Sequence, residues 1–106
     1  MHFDFVDLRL LTALGETANL ARAATRCHLS APAASNRLKN LEDGLGFRLL
    51  HRTSQGMTPT PAGECFMRHA RLVQEQVERL AADMQQFGEG ITGHVRIWTN
   101  TTAMSG

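Results

Sequence analysis

The chain has 106 residues and a mass of 11.7 kDa, one domain by the usual size range, with 42% hydrophobic and 20% charged residues. That balance is too apolar for a disordered tail, no apolar run reaches the roughly 18 residues of a membrane helix, and the start Met1-His-Phe-Asp-Phe5 is not a secretory signal. Cys27 and Cys65 make no disulfide framework and fit a reducing, cytoplasmic setting, while a formal net charge of +1 names no partner.

Leu8, Leu11 and Leu14, with Val6, recur at three-residue steps and predict a first helix from about Asp7 to Glu16. Asp4 or Asp7 can cap it, and Gly15 weakens its last turn and helps to stop it. Asn19 is the expected N-cap of a short second helix, Leu20 to about Cys27, whose Ala21, Ala23 and Ala24 let a neighbour approach closely. His28-Leu29 then forms a tight connection, with Leu29 plugging the corner.

Ser30 is the expected N-cap of a third helix, with Pro32 in the first turn, where a missing N–H costs little. Leu38, Leu41 and Leu45 form its apolar face, and Gly44 and Gly46 end it. Ala34, Ser35, Arg37 and Lys39 are placed on the other, exposed face. Phe47 to Pro59 reads as two short extended runs around the polar turn Ser54-Gln55-Gly56, a β-hairpin.

Thr60-Pro61 opens the last helix, Thr as N-cap and Pro at the first helical position. Phe66, Ala70, Val73, Val77, Leu80, Met84 and Phe87 follow at spacings of 4, 3, 4, 3, 4 and 3, an unbroken heptad seam. Pro61 to Phe87 is roughly 40 Å of helix, longer than so small a head can cover, so the seam predicts a homodimer. Met67, Gln74, Gln76 and Ala81 fall at flanking positions, so charge does not set the orientation of the pair. Beyond Gly93, His94 to Thr99 alternates like a strand and is read as the first strand of a truncated second domain. The organisation expected is therefore a head over residues 1–59, a dimerisation helix over 60–88, and a hinge with that strand over 89–106.

Charge is concentrated in the head. From Leu20 to Thr60, Arg22, Arg26, Arg37, Lys39, Arg48 and Arg52 face only Glu42 and Asp43, whereas Pro61 to Gly106 carries one more acid than bases. A basic block beside a neutral one points to a polyanion-binding half. Two short helices joined by a tight turn, followed by a basic hairpin, make a mostly α winged helix-turn-helix: a three-helix head plus a β-hairpin wing, then a long helix. Ala31, Ala33 and Ala34 keep the third helix thin enough for a major groove about 12 Å wide, and its N-terminal N–H groups suit phosphate. Ser35, Asn36 and Arg37 then reach bases or phosphates, and Arg52 with Thr53, Ser54 and Gln55 lies on the backbone or in the minor groove.

Five segments carry a family resemblance: Leu20-Ala-Arg-Ala-Ala24, His28-Leu-Ser-Ala-Pro-Ala-Ala-Ser35, Leu38-Lys-Asn-Leu-Glu-Asp-Gly-Leu-Gly46, Leu49-Leu-His-Arg52 and Thr58-Pro-Thr-Pro-Ala-Gly-Glu64. With them, residues 1 to about 93 resemble the N-terminal DNA-binding domain and linker helix of LysR-type transcriptional regulators. Gly93-His-Val-Arg-Ile97 resembles the start of that family's effector-binding domain. The resemblance implies a bacterial, sequence-specific binder of double-stranded DNA, dimeric through the linker helix and tetrameric in the full protein. It implies no cofactor for these residues and a small-molecule inducer bound by the missing C-terminal domain.

By the resemblance, Ser30, Ala31, Pro32, Ala33, Ser35, Asn36, Arg37, Lys39, Arg52, Thr53 and Gln55 form the DNA-binding set. Pro32, Ser35 and Arg52 match the family pattern, while Ala31 stands where it usually has Gln, Asn36 where it often has Arg, and Gln55 where it often has a basic residue. The binding role carries over; the usual base contacts do not carry over one by one. Ala31 can touch a thymine methyl and Asn36 can pair with adenine.

Three rival functions are weaker. Cys65 and His69 lie i, i+4 on one helical face, and Cys27-His28 could join them as zinc ligands, but adjacent Cys-His is poor chelate spacing and no Ser/His/Asp set or phosphate loop supports an enzyme. The alternatives to a LysR-type regulator are the head of a molybdate-responsive regulator, and a coiled-coil interaction module without specific DNA binding.

Overall fold

The computed structural model describes residues 2–88; the strand expected after Gly93 lies outside them. The elements are α1 (Phe5–Thr17), α2 (Leu20–Arg26), α3 (Ala31–Leu45), β1 (Leu50–Thr53), β2 (Gly56–Pro59) and α4 (Pro61–Phe87). This is the three-helix, hairpin and long-helix order read from the sequence.

α1 starts two residues earlier than its apolar pattern suggests, because Asp4 and Asp7 cap it together. The Asp7 N–H donates to Asp4 Oδ1 at 3.0 Å and the Asp4 N–H donates to Asp7 Oδ2 at 3.1 Å, a reciprocal capping box. Leu8, Leu11 and Leu14 are buried as expected, and so is Leu10, because α1 is enclosed on several sides. Val6 is only half-buried. Gly15 does not stop the helix but lies inside it, where Met67 of α4 packs on it; a Cβ there would sit 2.8 Å from the Met67 sulfur. The stop comes at Ala18, in left-handed conformation (φ 55), whose N–H donates to the Leu14 carbonyl at 2.9 Å.

The Asn19 side chain caps α2 by accepting from the Arg22 N–H at 2.9 Å. Ala23 and Ala24 are buried against α1 and α3, the close approach small residues allow. The α2–α3 corner is a Schellman turn. His28 takes φ 57, its N–H donates to Thr25 O at 3.2 Å, and the Leu29 N–H reaches Ala24 O at 2.9 Å. Leu29 packs against the core as the plug of that corner.

Ser30 caps α3, its Oγ accepting from the Ala33 N–H at 3.2 Å. Gly44 lies within α3 with open space around it, and only Gly46, at φ 86, ends the helix. Between α3 and the hairpin, the Glu42 carboxylate accepts from the Leu49 N–H at 2.7 Å and the Leu50 N–H at 3.2 Å. Read from the sequence, Glu42 only offsets basic charge; in the fold it satisfies two backbone donors at the entry to β1.

β1 and β2 pair antiparallel from Leu50↔Pro59 to Thr53↔Gly56, so Phe47–Leu49 of the expected hairpin are connector. Gly56 has φ 131, and a Cβ on it would meet the Ala18 carbonyl oxygen at 2.5 Å. The Met57 N–H donates to that same oxygen at 2.9 Å, fastening the hairpin to the α1–α2 junction.

Thr60 caps α4: its Oγ accepts from the Gly63 N–H at 3.0 Å and donates to Arg48 O at 2.8 Å. The core joins Leu10, Leu11, Leu14, Leu41, Leu49 and Leu50, all essentially inaccessible, with Ala23 and Ala24 of α2 and Met67, whereas Ala21 is exposed. Truncating any one of these leucines to Ala costs about 2–5 kcal/mol. The compact head runs to Arg71, beyond the expected boundary at residue 59, because the first turns of α4 belong to its core.

Candidate nucleic-acid interface

α2, its Schellman corner and α3 set the faces of α3. Leu38 and Leu41 point inward, and so does Ala34, which is completely buried. Ala34 therefore supports the core and is not on the exposed face where the helical pattern suggested it. Ala31, Pro32, Asn36 and Lys39 are exposed, with Ala33 and Ser35 half-buried beside them. The result is a ridge with little side-chain bulk at its N-terminal end, the shape a major groove admits.

The first turn of α3 offers less to phosphate than a generic helix start. Pro32 has no N–H and the Ala33 N–H is held by Ser30 Oγ, which leaves the Ala31 N–H as the uncommitted amide of the turn among the described residues. The expected set of several free N–H groups reduces to that one.

Arg37 departs most from expectation. Its Nη1 donates to Asp4 Oδ1 at 3.0 Å, Asp4 Oδ2 at 3.1 Å and Asp7 Oδ1 at 3.1 Å. It therefore ties α3 to the capping box of α1 and does not extend toward bases or phosphate. Burial pushes the Asp4 carboxyl up, but the Asp7 amide and the Arg37 guanidinium outweigh it and hold Asp4 below its ordinary range. Burial likewise lowers Arg37, and the two carboxylates more than reverse that, leaving it raised.

Lys39 pairs with Asp43 at 2.9 Å one turn along α3, both well exposed, which restrains Lys39 only weakly. Arg26 pairs with Glu16 at 2.6 Å. Arg22, Arg48 and Arg52 have no ion pair among the described residues. On the hairpin, Arg52 and Gln55 are exposed. The Thr53 hydroxyl donates to Gly56 O at 3.0 Å and accepts from the Gln55 N–H at 3.2 Å, so Thr53, exposed like its neighbours, shapes the turn. Ser35 and Arg52 line one groove between α3 and the hairpin, and Phe47 and Arg48, which the sequence reading did not single out, line it too. The only signal for them was the inclusion of Arg48 in the basic block.

The heptad seam divides. Ala70 is buried within the head and Phe66 is half-buried there, edge-on to Phe3 with ring centroids 6.0 Å apart, so both serve the head's own packing. Met67, expected to flank the seam, is a core residue. From Leu72 on, Val73, Leu80, Met84 and Phe87 are exposed, Val77 is half-buried, and Leu72 widens the stripe. Cys27 is buried, which raises its thiol, and Cys65 is exposed on α4. Among the described residues no three His, Cys, Asp or Glu side chains are grouped to share a metal ion.

Residues 5–64 match the family model of the bacterial regulatory helix-turn-helix proteins of the lysR family. The chain is 41% identical over 91 residues to the hydrogen peroxide-inducible genes activator of Dickeya chrysanthemi, an alignment covering 86% of this chain and 30% of that protein. It thus spans about a third of the length of such relatives. Among solved structures it is similar to a CbnR DBD–DNA complex, with TM-score 0.71, 33% identity, and coverage of 79% of this chain and 97% of that one. It is also similar to a BenM DBD complex with benA site 1 DNA, with TM-score 0.76, 27% identity, and coverage of 83% and 99%.

Proposed function

The chain belongs to the lysR family of bacterial regulatory helix-turn-helix proteins, and from that premise we propose that it is the sequence-specific DNA-binding part of a cytoplasmic transcriptional regulator. α3 enters the major groove with Ala31, Pro32, Ser35 and Asn36 toward the bases. Arg52 and Gln55 of the hairpin lie on the backbone and in the adjacent minor groove. The stripe of α4 from Leu72 to Phe87 pairs with a second copy, which sets two recognition helices on two half-sites. The function is binding without catalysis. A small-molecule inducer acts through a region beyond the length shared with these residues, in an assembly of two such dimers.

The observation that carries this reading is the slender exposed ridge of α3 with Arg48 and Arg52 on the groove beside it and Arg22 exposed on α2, none of the three in an ion pair among the described residues. A rigid fork of donors with no internal partner is suited to phosphate. The test is titration of a random-sequence duplex over a range of salt. Log affinity falls with log salt with a slope of about −3 per protomer, and Arg52→Ala reduces that slope by about one unit. An interaction module without DNA binding shows neither.

A further inference from the structure

The groove between α3 and the hairpin contains an exposed aromatic ring and two cations that the reading of bases by α3 does not use. We propose that Phe47 and Arg48 clamp the sugar-phosphate backbone of the bound duplex, Arg48 on a phosphate and the Phe47 ring on the apolar face of the adjacent deoxyribose. The inference rests on the proposed DNA-binding function; it adds Phe47 as a contact residue and gives Arg48 its place on the strand beside that ring.

Phe47 is 52% exposed, whereas Leu49 and Leu50, which follow it, are 1% exposed. The left-handed turn at Gly46 ends α3 immediately before it, and Phe47 lines the same groove as Ser35, Lys39, Arg48 and Arg52. The acids of that groove are engaged: Glu42 accepts two backbone N–H groups, and Asp43 faces Lys39. Arg48 and Arg52 have no ion pair among the described residues, so the groove presents two uncompensated guanidinium groups. Its apolar floor, Leu38, Leu50 and Met57, is 6% exposed or less. That leaves no trench for the side chains of an amphipathic peptide, and the accessible apolar surface is the Phe47 ring. A nucleic-acid strand alternates anionic phosphates with sugars that carry an apolar face. Cations flanking one ring match that alternation, and Ser35 on the groove wall places the strand next to the bases that α3 faces.

The 106-residue chain and its Phe47→Ala, Arg48→Ala and Arg52→Ala variants are titrated over a range of salt with a duplex enriched from a random pool and with a scrambled duplex. Phe47→Ala weakens both duplexes alike, about fivefold, with the salt slope and melting temperature unchanged. Arg48→Ala lowers the slope by about one unit. Unchanged affinity in both variants, while Arg52→Ala still weakens binding, rejects the clamp and leaves the DNA-binding reading standing. A Phe47→Ala loss confined to the enriched duplex, or a loss of self-association by sedimentation in its place, also rejects it, assigning the ring to a base or to a protein contact. Failure of the wild type to bind either duplex removes the reading on which the clamp depends.

Discussion

Replacing Arg37 with Ala separates a helix-positioning role from a DNA-contacting one. The substitution removes the donor of three hydrogen bonds and leaves the Asp4 and Asp7 carboxylates facing each other with no cation between them. The Asp7 side chain is 11% exposed and that of Arg37 35%, so the pair lies between an open surface contact, worth up to about 1 kcal/mol, and a buried one, whose breakage costs about 3–5 kcal/mol. The expected loss at neutral pH is about 2 kcal/mol, or a melting point roughly 10 °C lower for a head of this size. The pH dependence has a definite sign. Asp4 in the fold lies below its ordinary value of 3.8, so its contribution is present above that value and is lost as pH falls through the lower, folded value. The stability gap between wild type and Arg37→Ala therefore narrows in acid. Denaturant unfolding at neutral pH and at a series of acid values measures it, and a double-mutant cycle with Asp7→Asn isolates the pairwise coupling. Because Arg37 does not reach phosphate, the salt slope of duplex binding stays at the wild-type value in Arg37→Ala. A variant within about 0.5 kcal/mol of wild type at neutral pH, or one whose slope drops by a full unit, refutes the positioning role.

Asn36→Ala costs about 1–3 kcal/mol on the preferred operator and relaxes preference at one base position, an adenine, in an affinity matrix of variants against base-pair substitutions; equal weakening of all duplexes shows that Asn36 reads no base. Leu80→Asp puts an unpaired charge on the stripe and yields a monomer by sedimentation at tens of micromolar, whereas a wild type that is itself monomeric there contradicts pairing through α4. Gly63→Ala drives a Cβ into the Leu49 carbonyl oxygen at the start of α4 and lowers stability by several kcal/mol in thermal melts; a variant as stable as wild type shows that the close approach of α4 to the connector is not required.

The elements legible from the sequence are those set by short-range chemistry. Asn19, Ser30 and Thr60 cap their helices through side chains acting three residues away, and the i, i+3 and i, i+4 leucines mark the buried faces of α1 and α3. The winged helix-turn-helix order and the family resemblance were therefore readable, and both hold. Contacts between residues distant in the chain were not. The Arg37 guanidinium meets acids 30 and 33 positions away, and no local pattern separates it from an arginine that faces solvent. Gly15 looked like a helix stop because its role, making room for Met67, depends on a residue far along the chain. The seam of α4 was periodic throughout, yet Ala70 and Met67 turn into the head while Leu72 joins the exposed stripe. Periodicity identifies an apolar face without saying which neighbour covers it.

The central claim is that α3 reads sequence, and the most direct measurement is the ratio of affinities, at one fixed salt concentration near physiological, for a duplex selected from a random pool and for its scrambled counterpart. A ratio of about a thousand or more, with two related half-sites in the selected sequence, is the expected result. A ratio near one, with a steep salt slope on both duplexes, contradicts it and reduces the head to a polycation that binds any DNA.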